Sequence, residues 1–143
     1  MNETTVLLVD DEEEFIAALA ARLEMRELAV DTAATGYAAL AKARQRTYDA
    51  ILLDMAMPGL DGLGTLKALL EINADLQVIV LTGRATLAQA VAAMKSGALD
   101  LIEKPADIDS LVERIEEAAR RRSSLDDQRV QRRIDEITRK MGW

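Results

Sequence analysis

The chain has 143 residues, 50% of them apolar and 3% aromatic, which suits one compact domain with a core of Ala, Val, Leu and Ile. It has no cysteine and no histidine, so disulfides, thiolate or imidazole chemistry, Cys- or His-ligated metals and a phosphohistidine-donor role are excluded. The net charge of −7 is uneven: residues 1–119 carry 10 Lys/Arg and 21 Asp/Glu, and residues 120–143 carry 8 and 4.

Short apolar runs alternate with segments of helical period. Residues 6–9 read as a buried strand, and Phe15, Ile16, Leu19 and Leu23 then recur at helix spacing. A weaker strand covers 28–33, and Thr35 can cap a helix that carries Tyr37 and Leu40. Residues 50–53 form a strongly apolar strand. Met57-Pro58-Gly59 and Asp61-Gly62 punctuate the loop after it, and Leu63, Leu66, Leu69 and Leu70 mark the next helix. A β-branched strand spans 78–81, and a helix spans about 86–96, closed by Gly97. The fifth strand is 99–102, before Pro105. Asp107 or Asp109 can cap a last helix with Ile108, Leu111, Val112 and Ile115 on one face. No apolar run reaches membrane-spanning length and residues 1–9 are too short for a signal peptide, so a cytoplasmic protein without membrane attachment is expected.

Five βα units imply an α/β fold: a parallel sheet with right-handed crossovers, buried on both faces. Such sheets bind ligands beyond the carboxyl ends of their strands. Asp10 and Asp11 follow the first strand, Asp54 the third, Thr82 the fourth and Lys104 the fifth, so all five polar side chains share one sheet edge. Converging carboxylates repel unless a cation or protons intervene. An all-oxygen donor set suits Mg²⁺, and a carboxylate can act as nucleophile toward phosphorus. Phosphoryl transfer needs positioning and charge neutralisation, which Mg²⁺, Lys104 and Thr82 can supply.

These residues resemble the receiver domains of bacterial two-component response regulators. The matching pieces are Asp10-Asp11, the stretch from Asp54 through Met55-Ala56-Met57-Pro58-Gly59-Leu60 to Asp61-Gly62, Leu81-Thr82-Gly83, and Glu103-Lys104-Pro105, and the likeness covers about residues 4–122. The resemblance implies a doubly wound, flavodoxin-like sheet of order 2-1-3-4-5 with helices on both faces. It implies Asp54 as phosphoacceptor, Asp11 as a direct Mg²⁺ ligand with Asp10 acting nearby, and Asp54 and the Ala56 main-chain carbonyl completing the protein ligands. Lys104 pairs with the phosphoryl group and Thr82 moves to hydrogen-bond it, changing the helix 4–strand 5–helix 5 face. The implied donor is a histidine kinase or histidine phosphotransfer protein, with small acyl phosphates as substitutes. The chain is thus expected to be a switch with at most self-phosphorylation and self-dephosphorylation, acting on an output protein the sequence does not name.

Several positions depart from the family's habit. Leu101 stands where Tyr or Phe often precedes the lysine, so coupling to a rotating aromatic is in doubt, and Ala106 stands where Phe often follows Lys-Pro. Ala56 and Arg84, two residues past Asp54 and Thr82, flank the path of hydrolytic water in the family. Ala56 cannot hold that water and Arg84 can cover the phosphoryl, so slow self-dephosphorylation is expected.

Residues 1–122 read as the receiver and 123–143 as a basic amphipathic helical tail, with Ser123-Ser124 breaking the preceding helix pattern. Val130, Ile134, Ile137 and Met141 recur at helical spacing, for packing on the domain itself or on a second copy, or as a docking or linker helix. The acidic body and the lack of a recognised motif argue against nucleic-acid binding by this chain. Competing readings are a receiver cut from a larger DNA-binding transcription regulator, an aspartate-based phosphatase, a flavin carrier and a pseudo-receiver. The phosphatase needs an Asp where Ala56 stands, Asp10–Glu14 would repel a flavin phosphate, and the complete Asp/Thr/Lys set argues against a pseudo-receiver.

Overall fold

A computed structural model describes residues 3–55, 61–83, 87–104 and 106–142. The elements are β1 (Thr5–Val9), α1 (Glu13–Glu24), β2 (Ala29–Ala33), α2 (Gly36–Gln45), β3 (Ala50–Leu53), α3 (Gly62–Ile72), β4 (Val78–Thr82), α4 (Leu87–Lys95), β5 (Asp100–Glu103) and α5 (Ile108–Lys140). All four strand pairings are parallel and the order is β2-β1-β3-β4-β5, as expected. Strand β5 begins one residue later than the apolar run suggests, with the Leu99 amide donating to the Val78 carbonyl just before it.

Alternation along the strands divides the core into two layers. Leu7, Val9, Ile51, Leu53, Val78 and Val80 pack with residues of α2, α3 and α4, including Leu40, Leu66, Leu69 and Ala93. Val6, Leu8, Leu52 and Ile79 face the other way, against Leu23 of α1 and Leu111, Ile115 and Ala118 of α5. Strands buried on both faces explain why the sequence shows apolar runs and not a polar–apolar alternation.

Three helix starts follow the capping rule, whereas Glu12 before α1 makes no side-chain cap bond. Thr35 accepts from the Ala38 amide (3.0 Å), Asp61 from the Gly64 amide (2.7 Å) and Asp107 from the Ser110 amide (3.1 Å). Asp109, the alternative cap, instead pairs with Arg26 of the chain after α1. The start expected for α4 at Thr86 lies outside the described residues; at its far end Gly97 adopts φ +105°, as a left-handed helix terminator does.

The final helix corrects one expectation. It passes through Ser123 and Ser124 without a break, as a single α5 of 33 residues. Its buried face ends at Ala118, and beyond that point two ion pairs tie it to acidic residues at the edge opposite the strands' carboxyl ends. Arg122 meets Asp49 at 2.7 Å, and Arg129 meets Asp75 at 2.6 Å. The stripe of Val130, Ile134, Ile137 and Met141 is 60%, 49%, 48% and 56% exposed, so the domain itself does not cover it.

Near that edge, the buried Tyr48 hydroxyl donates to Asp31 at 2.7 Å while Arg46 pairs with the same carboxylate. Burial, then the bond and charge of Asp31, push the Tyr48 phenol well above its ordinary 10.0. The unfolded chain ionises first, so the stability Tyr48 contributes is intact below about pH 10 and is lost as pH rises beyond it. Tyr48→Phe is expected to cost about 1 kcal/mol at pH 7 and to lose less stability than the parent between pH 9 and 11, which urea unfolding at the three pH values checks.

Candidate functional site

Asp10, Asp11, Asp54, Thr82 and Lys104 lie at or just beyond the carboxyl ends of strands, and for three of them a main-chain bond carries the sheet pattern one residue further. The Asp10 amide donates to the Ala33 carbonyl (3.1 Å), Asp54 to Val9 (2.9 Å) and Lys104 to Thr82 (2.7 Å). Parallel pairing therefore sets the spacing of the site: Val9 lies opposite Leu53, and Thr82 opposite Glu103. Asp10, Asp54 and Thr82 are buried, whereas Asp11 is exposed at the rim.

Asp10, Asp11 and Asp54 each offer a carboxylate oxygen within 4.8 Å of the others. Lys104 reaches into this cluster: its Nζ donates to Asp10 Oδ2 at 2.6 Å and stands 3.9 Å from Asp54 Oδ1. Asp10 Oδ1 is fixed separately by the Glu12 amide at 3.0 Å. Among the described residues the arrangement is an acidic oxygen cage with the Lys104 ammonium threaded through it. Oxygen donors without imidazole or thiolate fit a hard divalent cation such as Mg²⁺, and the geometry leaves the Asp54 carboxylate facing both the cage and the lysine.

The structure brings Asp10, Asp11, Asp54 and Lys104 together and sets Thr82 at the adjoining strand end. Ala56 and Arg84, expected to tune lifetime and, for Ala56, to supply a carbonyl ligand, lie outside the described residues. Leu101 is opposite Val80 on β5 and packs against the α2–α3–α4 layer. Two participants escaped the sequence reading. Phe15, read only as one of α1's helically spaced apolar residues, has its ring 4.2 Å from Lys104 Nζ. Gly62, read as a turn glycine, lies against the main chain of Asp54 and Met55: a Cβ there would meet Met55 Cα at 2.4 Å and the Asp54 carbonyl oxygen at 2.7 Å.

The model of the response regulator receiver domain matches residues 6–116. The transcriptional regulatory protein PrrA of Mycobacterium tuberculosis is 39% identical over 119 residues, covering 83% of this chain and 51% of PrrA. ZraR, a transcriptional regulatory protein of Salmonella typhimurium, is 36% identical over 113 residues, covering 79% of this chain and 26% of ZraR. A CheY-like receiver-domain structure from Methanospirillum hungatei superposes with a TM-score of 0.82 at 27% identity, over 86% of this chain and 98% of that one. The chain thus spans about half, or about a quarter, of the curated relatives it matches.

Proposed function

The chain belongs to the response regulator receiver family, and we propose that Asp54 is the acceptor of its phosphoryl group. The observation that carries this reading is Lys104 Nζ standing between Asp10 and Asp54, 2.6 and 3.9 Å from their oxygens. In the transfer, an Asp54 carboxylate oxygen forms a bond to phosphorus. The bond from phosphorus to the donor's imidazole nitrogen, or to the acetate oxygen of acetyl phosphate, breaks, and the leaving group keeps the electron pair. Lys104 then exchanges part of its contact with Asp10 for the new phosphoryl oxygens, and Thr82 donates its hydroxyl to them. Asp10, Asp11, Asp54 and the Ala56 carbonyl would hold Mg²⁺, which when bound offsets phosphoryl charge. Membership of the receiver family supports a histidine kinase or phosphotransfer protein as the donor. Among the described residues no helix is long and apolar enough to cross a membrane, and the proposed setting is the cytoplasm.

The test is incubation with Mg²⁺ and acetyl phosphate, or with beryllofluoride. Acyl phosphate and a conformational response are expected in the parent and not in Asp54→Asn. A parent protein that shows neither overturns the switch.

For the output, the exposed stripe of Val130, Ile134, Ile137 and Met141, spaced four, three and four residues apart, supports pairing with a second copy along the tail of α5. A full-length Ile134→Glu/Ile137→Glu variant is expected to have a lower light-scattering mass than the beryllofluoride-treated parent. Equal masses would rule this pairing out. The names of PrrA and ZraR favour a second reading, in which the receiver governs the DNA-binding part of a longer transcription regulator.

A further inference from the structure

The phosphoacceptor reading leaves Phe15 without a role, yet its ring forms one wall of the site. It sits in the first turn of α1, half-buried, beside Asp10 and Asp54 on one side. On the other side it borders a cleft of about 210 Å³ shared with Leu19, Arg22, Ala106 and Leu111. A small residue at position 106 leaves this side of the ring open.

Among the described residues, Lys104 Nζ is close to Asp10 at 2.6 Å, to Asp54 at 3.9 Å, and to the Phe15 ring face at 4.2 Å from its centroid. The first two are anions that Lys104 must share with a metal ion or leave for a phosphoryl group. The third is an attraction between a cation and a ring quadrupole, which neutralises no charge and takes no hydrogen-bond acceptor from the site. An ammonium is strongly hydrated, and a ring in place of water on one side limits where it can go.

We propose that Phe15 is a positioning residue for Lys104: its ring face holds the ammonium between Asp10 and Asp54, so that the lysine meets the incoming phosphoryl group without a search. This inference rests on Asp54 being the phosphoacceptor. The ring does not touch phosphorus. It narrows the positions of the group that does, and positional precision of this kind is worth rate.

The experiment compares four full-length proteins: the parent, Phe15→Tyr, Phe15→Leu, and a protein carrying 3,4,5-trifluorophenylalanine at position 15. The trifluorinated ring keeps nearly the same shape and apolar packing but has little negative charge on its face. Initial rates of acyl phosphate formation with acetyl phosphate and Mg²⁺ are expected to fall about 2- to 10-fold in the fluorinated protein and in Phe15→Leu, and to be retained in Phe15→Tyr. Thermal midpoints of the fluorinated protein and the parent are expected to agree. A rate equal to the parent's in the fluorinated protein overturns the proposal, because only the ring's electrostatics has changed.

A second readout does not depend on phosphorylation. The Lys104 ε-methylene protons lie near the ring face and should be shifted upfield in the parent and return toward ordinary values in Phe15→Leu. Unshifted protons in the parent overturn the geometry. If the shift is present but the parent forms no acyl phosphate, the switch reading fails and the role of Phe15 in phosphorylation fails with it. If the parent is phosphorylated and the fluorinated protein keeps pace, Phe15 alone is ruled out.

Discussion

Gly62→Ala is expected to destabilise the protein by roughly 2 kcal/mol or more and to slow phosphorylation of Asp54. The usual effect of this substitution is opposite, since alanine favours a helix by about 1 kcal/mol over glycine. Here the added carbon would lie 2.4 Å from Met55 Cα, 2.7 Å from the Asp54 carbonyl oxygen and 2.9 Å from the Met55 carbonyl carbon. All three are main-chain atoms, so no side-chain rotation relieves the overlap. Either α3 or the segment after β3 must shift, and that segment carries Asp54. A displacement of about 1 Å at a reacting group can cost on the order of 100-fold in rate. The control is Gly83→Ala, where the nearest atom, Lys104 Cδ, is 4.0 Å away and little stability should be lost. Urea unfolding and acetyl phosphate kinetics on both variants check the pair. A Gly62→Ala protein as stable as the parent would contradict the close approach.

Lys104→Met is the second large effect, and its signature is a new dependence on Mg²⁺. Methionine preserves length and apolar contact but leaves Asp10, Asp11 and Asp54, whose oxygens lie within 4.8 Å of one another, without the ammonium. At that separation and an effective dielectric of about 20, two carboxylates repel by roughly 3 kcal/mol. Breaking a buried pair on one side is also costly, about 3–5 kcal/mol, because the remaining charge has lost its partner. The metal-free variant should therefore unfold at a markedly lower urea concentration than the parent. Millimolar Mg²⁺ should recover much of the loss, and the variant should bind Mg²⁺ more tightly, since Lys104 no longer competes for Asp10. The same urea shift with and without Mg²⁺ in both proteins would show that Lys104 does not balance the carboxylate charge.

Strands β1, β3 and β4 were legible because they are buried on both faces and so appear as apolar runs, while the half-buried β5 was marked by its short apolar run before Pro105; the strand ends then located Asp10, Asp54, Thr82 and Lys104. The helix caps Thr35 and Asp107 were legible for a local reason: each accepts from an amide three residues ahead. What sequence alone left open is tertiary. Two serines in succession weaken a helix by only a few tenths of a kcal/mol each, which the Arg122–Asp49 and Arg129–Asp75 pairs on either side of them readily offset. The spacing of Phe15 assigns it to the inner face of α1 but does not reveal that this face, at its first turn, ends at a lysine from β5's far end. Gly62 carries no chemical signal of its own, and its reason lies in a contact seven to eight residues back along the chain.

The length of α5 has a mechanical consequence. The helix begins four residues after Lys104 and continues for 33 residues, about 50 Å. A rod of that length turns small rotations into large travel: a tilt of about 5° at its root moves its far end by about 4 Å, comparable to the width of a side chain. The Arg122 and Arg129 pairs act as stays set partway along the rod. Their ionic strength sensitivity makes the pointing angle of the last three turns adjustable by salt, while the core that seats the root stays as it is.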